Sequence, residues 1–242
     1  MSSSAVPAPA LRLADHVRAC CADEQIILLD LRRNRYVGVS AQPSLAGVVG
    51  DWPGAPQANT PFATLAQRAP LLAPLLAQGL LTDQPKAIRR PQQTLPTPAR
   101  SLNADEAPAQ LPIGWRRAGR FYRSAAAASL RLRCQTLASI AEAVATRQPG
   151  ASMAMGSAPR CAVQDAVAAY QRLRLFTFTA HDRCLQDALT LVCFLASEGI
   201  AAHWAIGVRT RPFGAHSWVQ IGDAVLNDQH EQVRRYTSIL VV

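Results

Sequence analysis

Between residues 181 and 230 the sequence gathers two cysteines, four histidines and several carboxylates, the side-chain types from which a thiol-based catalytic site is built. A cysteine attacks as its thiolate, and it needs a base to take its proton and a third group to orient that base. The stretch 181-HDRCLQDALTLVCFLASEGI-200 offers Cys184 and Cys193. Its pattern predicts a helix from Cys184 to Ser197 with Gly199 as the stop, apolar on nearly every face and so the buried centre of its domain. Cys184 falls in the first turn, where free backbone N–H groups and the positive end of the helix dipole favour thiolate. Cys193 lies nine residues on. At about 100° per residue that points it to the opposite side, so it reads as structural.

Four histidines are near enough in sequence to serve as the base. His181 precedes the same helix and reads as part of the turn that starts it. His203 lies in 202-AHWAIGVR-209, a strand with Trp204, Ile206 and Val208 on one face and His203, Ala205 and Gly207 on the other. His230 lies in the polar segment 229-QHEQ-232, which reads as loop. His216 is the best placed. It begins the alternating strand 215-AHSWVQI-221, after the turn 211-RPFG-214 and before the hairpin signal Gly222-Asp223. The returning strand 224-AVLND-228 ends in a carboxylate. With a two-residue loop, Asp228 falls opposite Ser217, on the other side of the sheet from His216; with a three-residue loop from Ile221 to Asp223 it falls opposite His216. A Cys–His–Asp site therefore predicts the longer loop or a bulge, and Asn227 is the rival orienting group.

These elements belong to the second of two patterned regions. Residues 86–111, rich in Pro, Gln, Ala and Arg without a sustained apolar period, read as a linker between domains at 1–85 and 112–242. In the second domain, 124–150 reads as strongly helical with Pro149-Gly150 as its stop, and 162–174 as an amphipathic helix. In the first, VRACCADE, 26-IILLDL-31 and 36-YVGVS-40, with the turn 32-RRNR-35, predict a three-stranded meander. Helices are expected at 43–50, at 60–69 with Thr60 as N-cap and Pro61 at the first position, and at 71–80, closed by Gly79, with Pro74 either in its first turn or distorting it. Three strands and three helices make a winged-helix arrangement. Such folds often bind DNA, but the third helix carries no Lys or Arg, and six arginines balance six acidic residues through residue 85. Both observations argue against nucleic acid. An apolar helix beside a strand at a sheet edge suits an extended peptide bound by strand addition.

The net charge of +9 therefore arises after residue 85, where 19 basic residues face 10 acidic ones, eight of the 19 between Lys86 and Arg123. That surplus is either a solvated arginine-biased surface or an attraction for an acidic peptide or partner. The six cysteines show no CxxC spacing, so neither a zinc site nor a disulfide framework is indicated. No signal-like segment and no apolar run of about 20 residues occurs, which sets the expectation of a soluble cytoplasmic protein without a membrane partner. No glycine-rich phosphate loop is present, so no bound nucleotide or other cofactor is expected.

Two resemblances sharpen this reading. In the first region DLRRNRYVGVS, PSLAGVV and a short apolar helix ending QGLL are similar to the RiPP recognition element, the leader-binding module of peptide natural-product pathways. The resemblance implies a leader groove lined by Tyr36, Val37, Gly38 and Val39 and by the Leu71–Leu80 helix, with Leu72, Leu75 and Leu76. In the second region a helix thiol, a strand imidazole and a following carboxylate, in that order, resemble the papain-like transglutaminase superfamily. The run from RCLQDALTLVCFLASEGI to AHSWVQIGDAVLND, with its AHxWV context, further resembles the lasso peptide B proteins, which in fused forms join a RiPP recognition element to a transglutaminase-like cysteine peptidase. That resemblance implies an α+β chain, a winged-helix-like domain followed by a papain/transglutaminase-like one, with Cys184 as nucleophile, His216 as base and then acid, and Asp228 orienting His216. It also implies a precursor peptide whose leader is removed, and an asparagine-synthetase-like cyclase as the partner through which any ATP dependence would enter. Ser217 stands where the family often has Ala, a change expected to matter little. Gln186-Asp187 stand where it commonly has Arg-Ser, which leaves their contacts open. The same thioester would also serve an acyltransferase or cross-linking transglutaminase, and a non-catalytic leader-binding scaffold is the reading outside enzymes.

Overall fold

Asp23 and Glu24 both take positive φ (44° and 63°), as the two central residues of a tight primed hairpin do, and so fold the first alternating stretch back on itself. The computed structural model describes residues 11–40, 45, 49–53, 65–84, 94–102, 112–147, 159–175 and 183–242. It divides into two units, Met1–Pro91 and Gln92–Val242. Unit one contains β1 (Leu11–Leu13), β2 (Val17–Ala22), β3 (Gln25–Asp30), β4 (Arg35–Ser40), β5 (Val49–Gly50), α1 (Leu65–Ala77) and β6 (Leu81–Thr82). The meander β2-β3-β4 is antiparallel with six consecutive residue pairs in each ladder. Its inner face, with Val17, Ile26 and Leu28, packs with Trp52, Leu72 and Leu75 in one apolar cluster. A second sheet, β5-β1-β6, pairs β1 parallel to β5 and antiparallel to β6.

The meander is as the alternation predicts, but the helices differ. Val49–Gly50 is a strand on β1 rather than the end of a helix over 43–50; the rest of that stretch except Leu45 lies outside the described residues, as do Thr60 and Pro61. The helices expected at 60–69 and 71–80 are continuous as α1, which runs through Pro70 and Pro74. Each proline removes one helical N–H, but the two are four residues apart and both exposed, so the lost bonds lie on the solvent side. Gly79, at φ 71°, ends the helix.

Unit two contains β7 (Arg100–Ser101), α2 (Trp115–Cys134), α3 (Leu137–Arg147), α4 (Arg160–Arg174), α5 (Cys184–Ser197), β8 (His203–Thr210), β9 (Phe213–Ile221), β10 (Ala224–Val225), α6 (His230–Val233) and β11 (Thr237–Val241). Its sheet has the order β11-β8-β9-β10-β7. The helix read as 124–150 is two helices, broken where Thr136 Oγ1 accepts from Ser139 N at 3.3 Å and caps α3. Pro149-Gly150 lie outside the described residues. Part of the expected linker is built into this unit: residues 100–101 form β7, parallel to β10, and Pro96 O accepts from Gln220 Nε2 at 2.8 Å. The segment 229–232, read as loop, is mostly helix α6. Among the described residues, no helix is long and apolar enough to cross a membrane.

The centre of this unit is α5. Leu189, Leu191, Phe194 and Leu195 are fully buried, and Phe194 meets Phe121 of α2 and Tyr170 of α4 in ring contacts of 6.2 and 6.0 Å. Gly199, at φ 78°, stops the helix where the sequence expects it. A helix packed on all sides cannot shift along its axis, which fixes where its first residue stands.

Candidate active site

That first residue is Cys184, half-buried at the N-terminus of α5. A hydrogen bond with His216 is the main cause lowering its pKa; burial opposes this, while the charge of His216 and backbone groups of Ser217 and Leu185 add to it. Cys193, by contrast, faces α2, where Arg131 Nη1 lies 3.8 Å from its sulfur, and burial raises its pKa. The two thiols thus have different neighbours, His216 for Cys184 and α2 for Cys193, as helical phase leads one to expect.

His216 sits on β9 with Nε2 2.5 Å from Asp228 Oδ2. With Nε2 committed to the carboxylate, Nδ1 is the ring nitrogen left for the thiol. Burial works against charging the ring, but hydrogen bonds to Asp228 and Cys184, together with their charges, hold its pKa up to about 9. Burial also works against charge on Asp228, and it too is outweighed, by hydrogen bonds from His216 and from Gln229 N, so its pKa is lowered. The three shifts agree in direction: each favours the charged form, thiolate, imidazolium and carboxylate.

Asp228 reaches His216 by a route the loop-length argument does not contain. The hairpin has the two-residue loop, with Ala224 paired to Ile221 and Val225 to Gln220, a register that continued would place Asp228 opposite Ser217. The ladder stops instead. Leu226 N still donates to Val219 O at 2.9 Å, but the reciprocal amide, Val219 N, donates to Asn227 Oδ1 at 2.9 Å. Gln171 Nε2 of α4 lies 3.5 Å from the freed Leu226 carbonyl. A side chain thus replaces a backbone acceptor, the chain leaves β9, and Asp228 turns onto the imidazole. Asn227, the rival orienting group, does not touch His216. It holds the loop that carries Asp228.

Aromatic rings bracket the imidazole, with Tyr236 at 5.2 Å and Trp218 at 6.4 Å between ring centroids. Arg209 lies over the other partner of this stack, 5.3 Å from the Tyr236 ring. Gly207, paired with His216, permits the arrangement, because a Cβ there would lie 2.8 Å from Trp218. Ser217 does more than substitute for Ala. Its buried hydroxyl accepts from Trp204 Nε1 at 2.8 Å and donates to Ala205 O at 3.1 Å. A cleft of about 530 Å³ opens beside His216 and Asp228, with Leu102, Gln171 and Tyr236 in its walls.

The remaining histidines are elsewhere. His203 has Nδ1 buried without a partner, and burial lowers its pKa. His230 Nδ1 pairs with Ser101 Oγ at 2.9 Å, while its backbone N donates to the same oxygen. His181 lies outside the described residues. Gln186 reaches across to Ser129 of α2 at 2.6 Å. The site's supports in Tyr170, Trp218 and Tyr236 were not picked out by sequence reasoning. The signal for Asp187 was visible: a carboxylate in the first turn of an otherwise apolar helix.

In unit one, β4 is the edge of its sheet. Val37 and Val39 pack against the core, Tyr36 is half-buried and Gly38 exposed. Arg33 and Arg35 hydrogen-bond Gln78, which ties the start of β4 to the end of α1. Leu72 and Leu75, expected in the groove, are instead core residues at 2% and 4% exposure. The outward leucines are Leu76, as expected, and Leu71, at 42% and 39%.

Residues 122–241, from within α2 to the end of β11, match the family model described as Transglutaminase-like superfamily. This part of the chain is a transglutaminase-like domain. The chain is also 51% identical over 45 residues to the microcin J25-processing protein McjB of Escherichia coli, a match that covers 19% of this chain and 22% of that protein. It thus spans about a fifth of the length of the curated relative it matches. Together, the transglutaminase-like domain and this relative support the resemblance to lasso peptide B proteins. No solved structure matches the chain significantly.

Proposed function

We propose that the protein takes part in lasso peptide biosynthesis as a cysteine peptidase that removes the leader from a ribosomally made precursor. The observation that carries this reading is the hydrogen-bonded relay from Cys184 through His216 to Asp228 at the N-terminus of a buried helix. The microcin J25-processing relative supports the pathway, and the transglutaminase-like domain supports the chemistry.

In the proposed reaction the Cys184 thiolate adds to the carbonyl carbon of the scissile peptide bond. The negative charge moves to the carbonyl oxygen, where the N–H of Cys184 acts as one donor, since the first amides of a helix have no intrahelical acceptor. Collapse breaks the C–N bond, and the imidazolium of His216 gives its proton to the leaving amine, which becomes the N-terminus of the core peptide. A water then loses a proton to His216 and attacks the thioester, releasing the leader carboxylate and regenerating the thiolate. Unit one, winged-helix-like in this reading, holds the leader as a strand added to β4 beside Leu71 and Leu76, which raises the local concentration of the scissile bond. The freed amine passes to a separate ATP-consuming cyclase. The transglutaminase alternative shares every step up to the thioester.

Purified protein incubated with precursor peptide and followed by mass spectrometry tests this. Leader and core fragments are expected from wild type, and a loss of more than about 10³-fold in Cys184→Ala with precursor binding retained. Equal cleavage by Cys184→Ala would remove Cys184 from the mechanism; mass gain on an added amine without a leader fragment would favour acyl transfer.

A further inference from the structure

Asp187 lies three residues beyond Cys184 on α5, is 8% exposed, and takes no part in the relay. A carboxylate withdrawn from water persists only with donors around it, and Asp187 has three. Tyr170 Oη of α4 donates to Oδ1 at 2.9 Å and to the backbone carbonyl at 2.8 Å. Arg174, one turn further along α4, places Nη1 3.5 Å from Oδ2. The third donor is Asn227 Nδ2, at 3.0 Å from Oδ2.

That third contact determines which way the Asn227 amide faces. An ionised carboxylate only accepts, so the NH₂ of Asn227 must point at Asp187 and its oxygen must point the other way, at Val219 N. Val219 N is the amide that would otherwise close the β9–β10 ladder onto Leu226 O. Reversing the Asn227 amide would withdraw its acceptor from Val219, and the regular ladder that resumed would carry Asp228 to the Ser217 side of the sheet. α4 reinforces the departure from the ladder: Gln171 approaches Leu226 O and Arg174 lies 3.5 Å from Asn227 O.

We propose that Asp187 is a positioning residue: by fixing the orientation of Asn227 it keeps the strand open after Leu226 and holds Asp228 against His216. The proposal rests on the relay reading of Cys184, His216 and Asp228. Among the described residues, the charged and titratable groups around that relay include Cys184 and Asp228 themselves, Arg174 behind Asp228, Tyr236 against the imidazole and Arg209 across the Tyr236 ring.

The test is the pH dependence of Cys184 alkylation by iodoacetamide, followed by peptide mass in the full-length protein, because it needs no substrate. In wild type the thiol is expected to react as thiolate below the usual thiol range. Asp187→Asn places a donor where Asn227 or Tyr170 also donates, so the acidic limb should move up by about one unit, a tenfold slower reaction on that limb. Asn227→Asp sets two carboxylates together and should do the same. The double variant Asp187→Asn/Asn227→Asp restores a donor–acceptor pair with its polarity reversed, and most of the reactivity is expected to return. A purely packing role for Asp187 would lower the melting temperature and leave the limb in place, and that result overturns the proposal. Should Asp187→Asn not fold, Asn227→Ala breaks the same contact from a half-buried loop position, and an unmoved limb there is equally decisive against it. If wild type shows no thiolate below the usual thiol range, the relay itself falls and the role of Asp187 with it. If wild type shows it and both single variants keep it, only the role of Asp187 falls.

Discussion

The β3–β4 hairpin and the β9–β10 hairpin both start as regular antiparallel ladders and end differently. In the first, six residue pairs follow one another from Asp30–Arg35 to Gln25–Ser40. In the second, two pairs form and the backbone then gives up its partner to an asparagine side chain. The uninterrupted ladder produces an edge with uniform backbone groups, suited to reading the main chain of another strand. The interrupted one produces a single carboxylate at a place no regular strand reaches. In the proposed function, strand regularity serves general recognition and its failure serves chemistry.

The largest test of this contrast is Asp228→Asn. The amide keeps the size of the side chain but loses the charge that holds the imidazolium, so kcat/KM for precursor cleavage is expected to fall about 10²- to 10⁴-fold. The sign of the pH effect follows from His216. Its pKa is raised to about 9, so wild-type activity is lost on the alkaline side as the imidazolium loses its proton near that pH. Without the Asp228 charge and hydrogen bond, the alkaline limb should move to lower pH. A limb still near 9 would mean that the interrupted hairpin is not what tunes the base.

Two strand glycines give the smaller tests. In Gly207→Ala the new Cβ would lie 2.8 Å from the Trp218 ring and 3.0 Å from Tyr236, so the stack on His216 must shift. A loss of about 1–3 kcal/mol in chemical denaturation is expected, together with reduced cleavage. In Gly38→Ala the Cβ would meet only Ile27 Cδ1, at an ordinary 3.7 Å. Stability there should stay within about 0.5 kcal/mol of wild type. If the two variants cost the same, the crowding around His216 carries no special constraint.

Much of this architecture is legible in the residues because periodicity and punctuation agree. The run from Leu185 to Ala196 with Gly199 beyond it specifies α5 from Cys184 to Ser197, and the alternation from Val17 to Ser40 specifies the meander. What escapes is decided by competition between partners rather than by pattern. Thr136 breaks a run of good helix formers because its hydroxyl caps a new helix. Pro70 and Pro74 fail to break one because both face solvent. Loop counting locates Asp228 only if strands pair by backbone alone, and Asn227 competes for the Val219 amide on terms that depend on Asp187, forty residues away in sequence. That Cys184, His216 and Asp228 belong together could be read from type and order; the means of bringing the last of them into contact could not.

The short strand β7 has a practical consequence for anyone dividing the chain. A catalytic fragment started at residue 112, where composition suggests the domain begins, would discard Arg100 and Ser101 and leave β10 as a bare edge. It would also lose the hydroxyl that caps α6 through His230 N and the Leu102 wall of the cleft beside His216. A fragment meant to fold and act alone has to start upstream of Leu95, whose side chain already packs against the apolar cluster that contains Trp218 and Val225.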